Sequence, residues 1–265
     1  MHFYSFSFLD RFSSLSIAIA VFIMMMLSFY IGIRLRVFYE SKIPVEEKSI
    51  GALEGSLLGL LALLLSFTFS MSSSRHDKRI NVIVEEANDI STAILRSDLY
   101  PDSIRTAFRK DFKAYLQSRI DFFKAGSDLK AISATLDRSD KIQRSLWKRA
   151  TDLGRDRDNL HRTAQMIPAL NAMFDIVSTR NAAGVAKVPE LIMYLLFMLC
   201  GVSAIMMGYS VGRKPDWIIM ACFAATIVMT IYLIIDLDRP RRGVITLNNT
   251  NMEIMKLESM FDKNE

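Results

Sequence analysis

Chemistry in this sequence has to come from polar side chains set into apolar stretches. Small residues recur at Gly51, Gly55, Gly59, Ala62, Ser66, Ser70 and Ser73. Six steps carry the chain from 51 to 73, a mean step of about 3.7 residues, which keeps them on one face of a single helix. Two physical readings of that face stand side by side. Small residues let helix backbones approach closely. Alternatively, a small, hydroxyl-bearing face lines a water-filled path, with Ser66, Ser70 and Ser73 offering hydrogen bonds to ions at its C-terminal end. Phe67 and Phe69 flank that end, as a hydrophobic constriction if they face an axis and as packing residues otherwise. Glu54 lies about one turn inside the opposite end. A carboxylate deep in a membrane costs about 3 kcal/mol on insertion scales and less near the interface. Its possible roles are snorkelling to the surface, facing ions at a mouth, or pairing with Arg34 or Arg36.

Other kinds of chemistry find no support. His2, His76 and His161 have no second metal-ligand residue at helical spacing beyond ordinary surface acids. Cys200 and Cys222 sit inside apolar stretches without CxxC or Cys/His spacing, as small packing residues do. Phosphate-loop, dinucleotide and nucleophile-elbow motifs are absent. The expectation is a protein that is not an enzyme, with no cofactor and no metal site.

What positions the small-residue face is a set of membrane spans. The chain has 265 residues, of which 51% are hydrophobic and 23% charged. Its mean hydropathy of +0.23 is unusual for a soluble domain of this size. The net charge of +5 is modest, and acids alternate with bases, as in Arg155-Asp156-Arg157-Asp158. That is a solvated helix surface, so nucleic acid is not an expected partner. Four stretches nearly free of charge stand out: about Leu15 to Ile33, Ile50 to Met71, Pro189 to Val211 and Trp217 to Ile235. The first reaches roughly 28 Å as a helix, close to the hydrocarbon thickness. It is too long for a cleaved leader and lacks a cleavage site, so it reads as a retained span.

Four spans put both termini and the long segment between the second and third on one side. That side carries Arg11, Arg75, Lys78, Arg79, Arg180, Lys187, Arg239, Arg241, Arg242 and Lys256 near the membrane. The opposite loops hold Arg34, Arg36, Lys42 and Lys48, and Arg213 and Lys214. The positive-inside rule then makes the first side cytoplasmic. The expected divisions are residues 1–71 with the first two spans, 72–188 as a cytoplasmic domain, 189–236 with the last two spans, and a tail at 237–265.

The intervening segment reads as helix throughout. Ile80, Ile83, Ala87, Ile90 and Ile94 step by 3, 4, 3 and 4, the seam of a helix-on-helix contact. No breaker lies between Gly59 and Tyr100, so the second span continues as one long rod until Pro101. Helices are then expected at about 102–124, with Phe108, Phe112, Tyr115, Arg119 and Phe123 on one face, at 129–153, and at 156–180, with Pro168 kinking or starting the last. At the span ends, Arg75, Asp77, Lys78 and Arg79 face the same depth as Asp236, Asp238, Arg239, Arg241 and Arg242. Pairing across helices, or contact with anionic lipid for Arg241 and Arg242, is expected there. Gly201, Ala204, Gly208 and Gly212 form a second close-packing stripe. The fold class is therefore all-α: four transmembrane helices with a cytoplasmic helical bundle inserted between the second and third.

The run EGSLLGLLALLLSFTFSMSSSRHDKR (Glu54 to Arg79), continuing to Pro101, resembles the bestrophin-like domain family of bacterial membrane proteins. DLDRPRRGVI (Asp236 to Ile245) and ALNAMFDIVSTR (Ala169 to Arg180) resemble the same family. The resemblance spans about residue 15 to residue 250. It implies four spans with an intervening helical domain. By distant analogy to bestrophins, it also implies an oligomeric ion channel whose second span lines an axial pore. It carries over no catalytic or calcium-clasp residue. The expected pore lining is Glu54, Gly55, Gly59, Ala62, Ser66, Phe67, Phe69, Ser70 and Ser73. Arg75, Asp77, Arg79, Asp236, Asp238 and Arg239 are expected at the cytoplasmic mouth. The expected partners are the lipid bilayer of the inner membrane, further copies of the chain, and inorganic ions. The competing expectation is a membrane-anchored scaffold or sensor whose helical domain binds a protein partner.

Overall fold

The computed structural model describes residues 8–40, 47–211 and 215–262. His2, Lys42, Gly212, Arg213, Lys214 and the Lys48 side chain lie outside what is described. Among the described residues the regular structure is helical. In chain order the elements are a 3-10 turn at Phe8–Arg11, α1 (Ser14–Glu40), α2 (Glu47–Ser97), α3 (Asp102–Lys124), α4 (Leu129–Leu153), α5 (Leu160–Val185), α6 (Glu190–Val211), α7 (Trp217–Leu237), α8 (Asn248–Lys256) and α9 (Ser259–Asp262). Four helical stretches are long and apolar enough to cross a membrane, one for each stretch expected from the sequence. α2 runs unbroken for 51 residues and ends before Pro101, because the residue preceding a proline is disfavoured in the α region.

Two compact units divide the chain. One comprises residues up to His76 together with Lys187–Ile245, and the other Asp77–Ala186 together with the residues from Thr246 onward. In the first unit α1, α6 and α7 share a sealed apolar core that includes Met25, Phe29, Leu196, Cys200, Ala224 and Ile231. Asp216 caps α7, its Oδ1 accepting from the backbone N–H of Ile218 at 3.0 Å and of Ile219 at 3.2 Å.

Two glycines set the distance between α1 and α6. A Cβ at Gly32 would lie 2.1 Å from the Ile205 carbonyl oxygen, and one at Gly208 would lie 2.2 Å from that of Phe29. Both obstacles are backbone, so the helices would have to part. At Gly201 the nearest atom to a Cβ is the Ser28 hydroxyl at 3.7 Å, an ordinary contact. Gly208→Ala is therefore expected to lower stability by about 1–3 kcal/mol, the usual range for overpacking, and Gly201→Ala to change it little. Thermal unfolding of both variants in detergent checks this. Equal melting temperatures would mean that α1 and α6 do not touch at Gly208.

The second unit is a helical bundle. The expected seam on α2 is buried at Ile83, Ala87, Ile90 and Ile94, and half-buried at Ile80. It packs with Phe108, Phe112 and Tyr115 of α3, Leu146 of α4, Leu170 of α5 and Ile254 of α8. Two sequence expectations need correction. On α3 the sealed aromatic after Arg119 is Phe122, whereas Phe123 is half-buried. Steps of 4, 3, 4 and 3 from Phe108 stay on one face, while a closing step of 4 drifts off it. α5 starts at Leu160 rather than near Asp156 and runs through Pro168. Residues before it are held in turns by Asp156, whose carboxylate accepts from the Asp158 N–H at 3.1 Å and the Asn159 Nδ2 at 2.8 Å.

Candidate functional site

The span-forming half of α2 turns one stripe inward, with Leu61, Thr68 and Ser72 buried and Leu64 and Leu65 half-buried. The small-residue face stands about 120° around the helix from that stripe. Gly51, Gly55, Gly59, Ala62, Ser66 and Ser70 are exposed, and Ser73 is half-buried. A Cβ at Gly51, Gly55 or Gly59 would meet no atom within 4 Å. Close helix approach inside this chain thus falls to Gly32 and Gly208, and the small face of α2 is left uncovered by the described residues.

The hydroxyls divide in the same way. Ser56 donates to the Ala52 carbonyl at 2.9 Å, and Thr68 donates to that of Leu64 at 2.6 Å. Such back-bonding is the ordinary way to satisfy a hydroxyl in an apolar helix. Among the described residues Ser66 and Ser70 make no hydrogen bond, so their hydroxyls remain available to a solute on the exposed face.

Glu54 and the phenylalanines belong elsewhere on the wheel. Glu54 precedes Leu61 by two turns, which sets it over the inward stripe, and it is half-buried. Of its expected partners, Arg34 donates to the Tyr30 hydroxyl at 2.7 Å and Arg36 to the carbonyls of Tyr209 and Ser210 at 3.1 and 2.7 Å. Phe67 and Phe69 are both exposed, at 60% and 41%. They lie about 200° apart on the helix, so at most one can face a given axis. Phe69 is the one adjoining the small face.

The charges at the span ends organise backbone. In the first unit, Asp236 is 1% exposed and its Oδ2 accepts from the N–H of Val244 at 2.9 Å and of Ile245 at 2.8 Å. The intervening Gly243 has φ +137°, and a Cβ there would lie 2.3 Å from Asp236 Oδ1. Asp238 accepts from the Val188 N–H at 2.8 Å, and Arg239 donates to the carbonyls of Phe12 and Leu9 at 2.6 and 2.5 Å. Arg75 is half-buried and Asp77 is exposed. In the second unit, Arg79 is 3% exposed and holds the end of α5 through the carbonyls of Ala183 at 3.0 Å and Ala186 at 2.7 Å. A cation there also suits the helix dipole.

The bundle contains a polar cluster that the sequence did not reveal. Glu86 of α2 and Arg119 of α3 are both fully buried, with Arg119 Nε donating to Glu86 Oε1 at 2.5 Å. Arg180 of α5 bonds the other carboxylate oxygen through Nη1 and donates from Nη2 to Asn251 Oδ1 of α8 at 2.6 Å. Burial alone would raise the Glu86 pKa, but the two guanidiniums outweigh it and hold the carboxyl below its ordinary value. Burial pushes the neighbouring Tyr115 phenol up to about 12, so it stays neutral. Its sequence signal was an arginine in register with Phe108, Phe112 and Tyr115, and a glutamate beside the Ala87 seam position. Among the described residues no group of His, Cys, Asp and Glu is placed to hold a metal ion.

Residues 54–252 match the family model of the Bestrophin-like domain. That is most of the chain, which belongs to this family. The fold is similar to that of a mutant of a bacterial Bestrophin homolog from Klebsiella pneumoniae, known from a crystal structure. The TM-score is 0.65 at 14% identity, with 91% of this chain and 98% of that one covered. No curated protein matches the sequence.

Proposed function

From this chain's place in the Bestrophin-like family, we propose that it is an ion channel of the bacterial inner membrane, with the second span lining an axial pore shared by several copies. The observation that carries the reading is the face of α2 bearing Ser66 and Ser70. It is small, exposed and hydroxylated, with no hydrogen bonds to the rest of the chain among the described residues. Four helices of one chain hardly enclose a path, so conduction requires neighbouring copies to complete the lining. In this reading Gly55, Gly59, Ala62, Ser66, Ser70 and Ser73 face the axis and Phe69 narrows it. The backbone bonds of Asp236, Asp238 and Arg239 fix the first unit's span ends. Both termini and the bundle are cytoplasmic, by the distribution of Lys and Arg.

The test is ion flux from liposomes containing the purified protein, under separate anion and cation gradients. Flux in either gradient, from a preparation that is oligomeric in lipid, is the expected result. A monomer in detergent and lipid would overturn the axial pore. No flux from folded oligomer would favour a membrane-anchored scaffold, with the bundle as its binding surface.

A further inference from the structure

The charge-free stretch of α1 ends at Ile33, and Arg34 is the first ionised residue beyond it. A helix that crosses the hydrocarbon brings this position to the level of the lipid phosphates, where Tyr30 and Tyr39 also belong as interfacial aromatic residues. Arg34 and Arg36 serve opposite sides of the helix. Arg36 is turned onto the end of α6, donating to the carbonyls of Tyr209 and Ser210. Arg34 stands about 160° around α1 from Gly32, where α6 packs, and its side chain is exposed.

That outward side carries a groove. An open hollow of about 620 Å³ is lined there by Tyr30, Ile31, Arg34, Leu35, Val37 and Phe38, so among the described residues Arg34 is its one charge. Arg34 Nε donates to the Tyr30 hydroxyl at 2.7 Å, and Cζ lies 5.2 Å from the Tyr30 ring centroid. Ring and hydroxyl together orient the guanidinium. Among the described residues Nη1 and Nη2 have no acceptor, which leaves a planar pair of donors suited to two oxygens of one phosphate. Toward the middle of the span, Ile31, Leu27, Ile23 and Ile19 follow at steps of four along one ridge, each 47–58% exposed. They cover about 18 Å of helix, and one leaflet of hydrocarbon is about 15 Å deep.

We infer that this face of α1 binds one anionic phospholipid, its phosphate on Arg34 and an acyl chain along the Ile31–Ile19 ridge. A cation at headgroup depth and an apolar ridge as long as one leaflet are what a single lipid matches. A second copy of the chain would have to bring a carboxylate to Arg34 and a surface shaped to the ridge. The unmatched guanidinium also selects among lipids. A zwitterionic headgroup carries its own cation beside the phosphate, whereas a phosphatidylglycerol headgroup offers its negative charge uncompensated. The site lies on α1, away from the proposed pore lining, and does not depend on conduction.

The deciding experiment titrates the full chain in detergent with dioleoylphosphatidylglycerol, dioleoylphosphatidylcholine or inorganic phosphate. Native mass spectrometry counts the lipid retained, and the melting temperature is followed in parallel. Phosphatidylglycerol is expected to bind saturably and to raise the melting temperature. Phosphatidylcholine is expected to bind about fivefold more weakly or less, and inorganic phosphate to have no effect. Arg34→Gln is expected to weaken phosphatidylglycerol binding about fivefold to tenfold, leaving the lipid-free melting temperature unchanged because the side chain is exposed. Arg34→Lys keeps the charge without the planar fork and is expected to fall between. Equal retention by wild type and Arg34→Gln, equal binding of the two lipids, or a phosphate effect matching that of phosphatidylglycerol would each overturn the site. Dissociation of the oligomer in Arg34→Gln, whichever lipid is present, would mean that another copy covers the groove and would overturn it too. The wild-type comparison of the two lipids stands without the variants, and none of these readouts is ion flux.

Discussion

Ser66→Leu and Ser70→Leu are each expected to cut ion flux from proteoliposomes on the order of tenfold or more, without changing folding or oligomeric state. Both side chains stand on the uncovered face of α2, so a larger residue costs no internal packing. It would fill the path and remove a hydroxyl together. Two further variants separate these effects. Ser66→Ala and Ser70→Ala keep the width and lose only the hydrogen bond, so a decrease of only about twofold to fivefold is expected. Ser56→Leu is a similar enlargement about a quarter turn off the face, at a hydroxyl already bonded to the Ala52 carbonyl, and should leave flux nearly unchanged. Equal flux in all of these variants would remove α2 from the pore. Loss of flux in Ser56→Leu alone would rotate the lining by a quarter turn.

Glu86→Ala is expected to be the most damaging single change in the bundle, destabilising it by about 3–5 kcal/mol. Removing the carboxylate strands Arg119 and Arg180 together in a sealed site, and uncompensated buried charge is what makes broken ion pairs costly. Replacing charges on both sides by apolar residues, as in Glu86→Leu with Arg119→Met, should cost less than Glu86→Ala alone. Trp147 lies 6.4 Å from the Phe174 ring in the bundle, and its fluorescence can follow unfolding once Trp217 is replaced by Phe. The same pair sets an acid limit. Glu86 is held below the ordinary glutamate value of 4.5 in the folded chain, so its contribution is present above that value. It is lost as pH falls from there through the lowered folded value. A bundle whose acid unfolding is unchanged in Glu86→Gln would contradict this assignment.

The elements were largely legible because each is written in local periodicity. The bounds expected for α3 and α4 coincide with the structure, and the four spans coincide with helices that form, except that α6 begins at Glu190, one residue after the expected Pro189. Asp216 before α7 and Asp128 before α4 act as caps whose polar side chains accept from the first free N–H groups. Less was legible where side chains compete with the helix, as at Asp156, whose turn delays α5.

For the candidate site, the sequence placed Gly55, Gly59, Ala62, Ser66, Ser70 and Ser73 on one face, because a helix turns by a fixed angle per residue. It set no limit on what covers that face. Only the tertiary structure showed that Gly32 and Gly208 serve the close approach of α1 to α6 while the α2 face is left bare by the described residues. Only it turned Glu54 toward the inward stripe, gave Asp238, Arg239 and Arg79 backbone partners far along the chain, and closed the turn after α7 onto Asp236. The meeting of Glu86, Arg119, Arg180 and Asn251 likewise joins four helices separated by long stretches of sequence. Periodicity fixes directions around one axis, and contacts between axes depend on how whole helices pack.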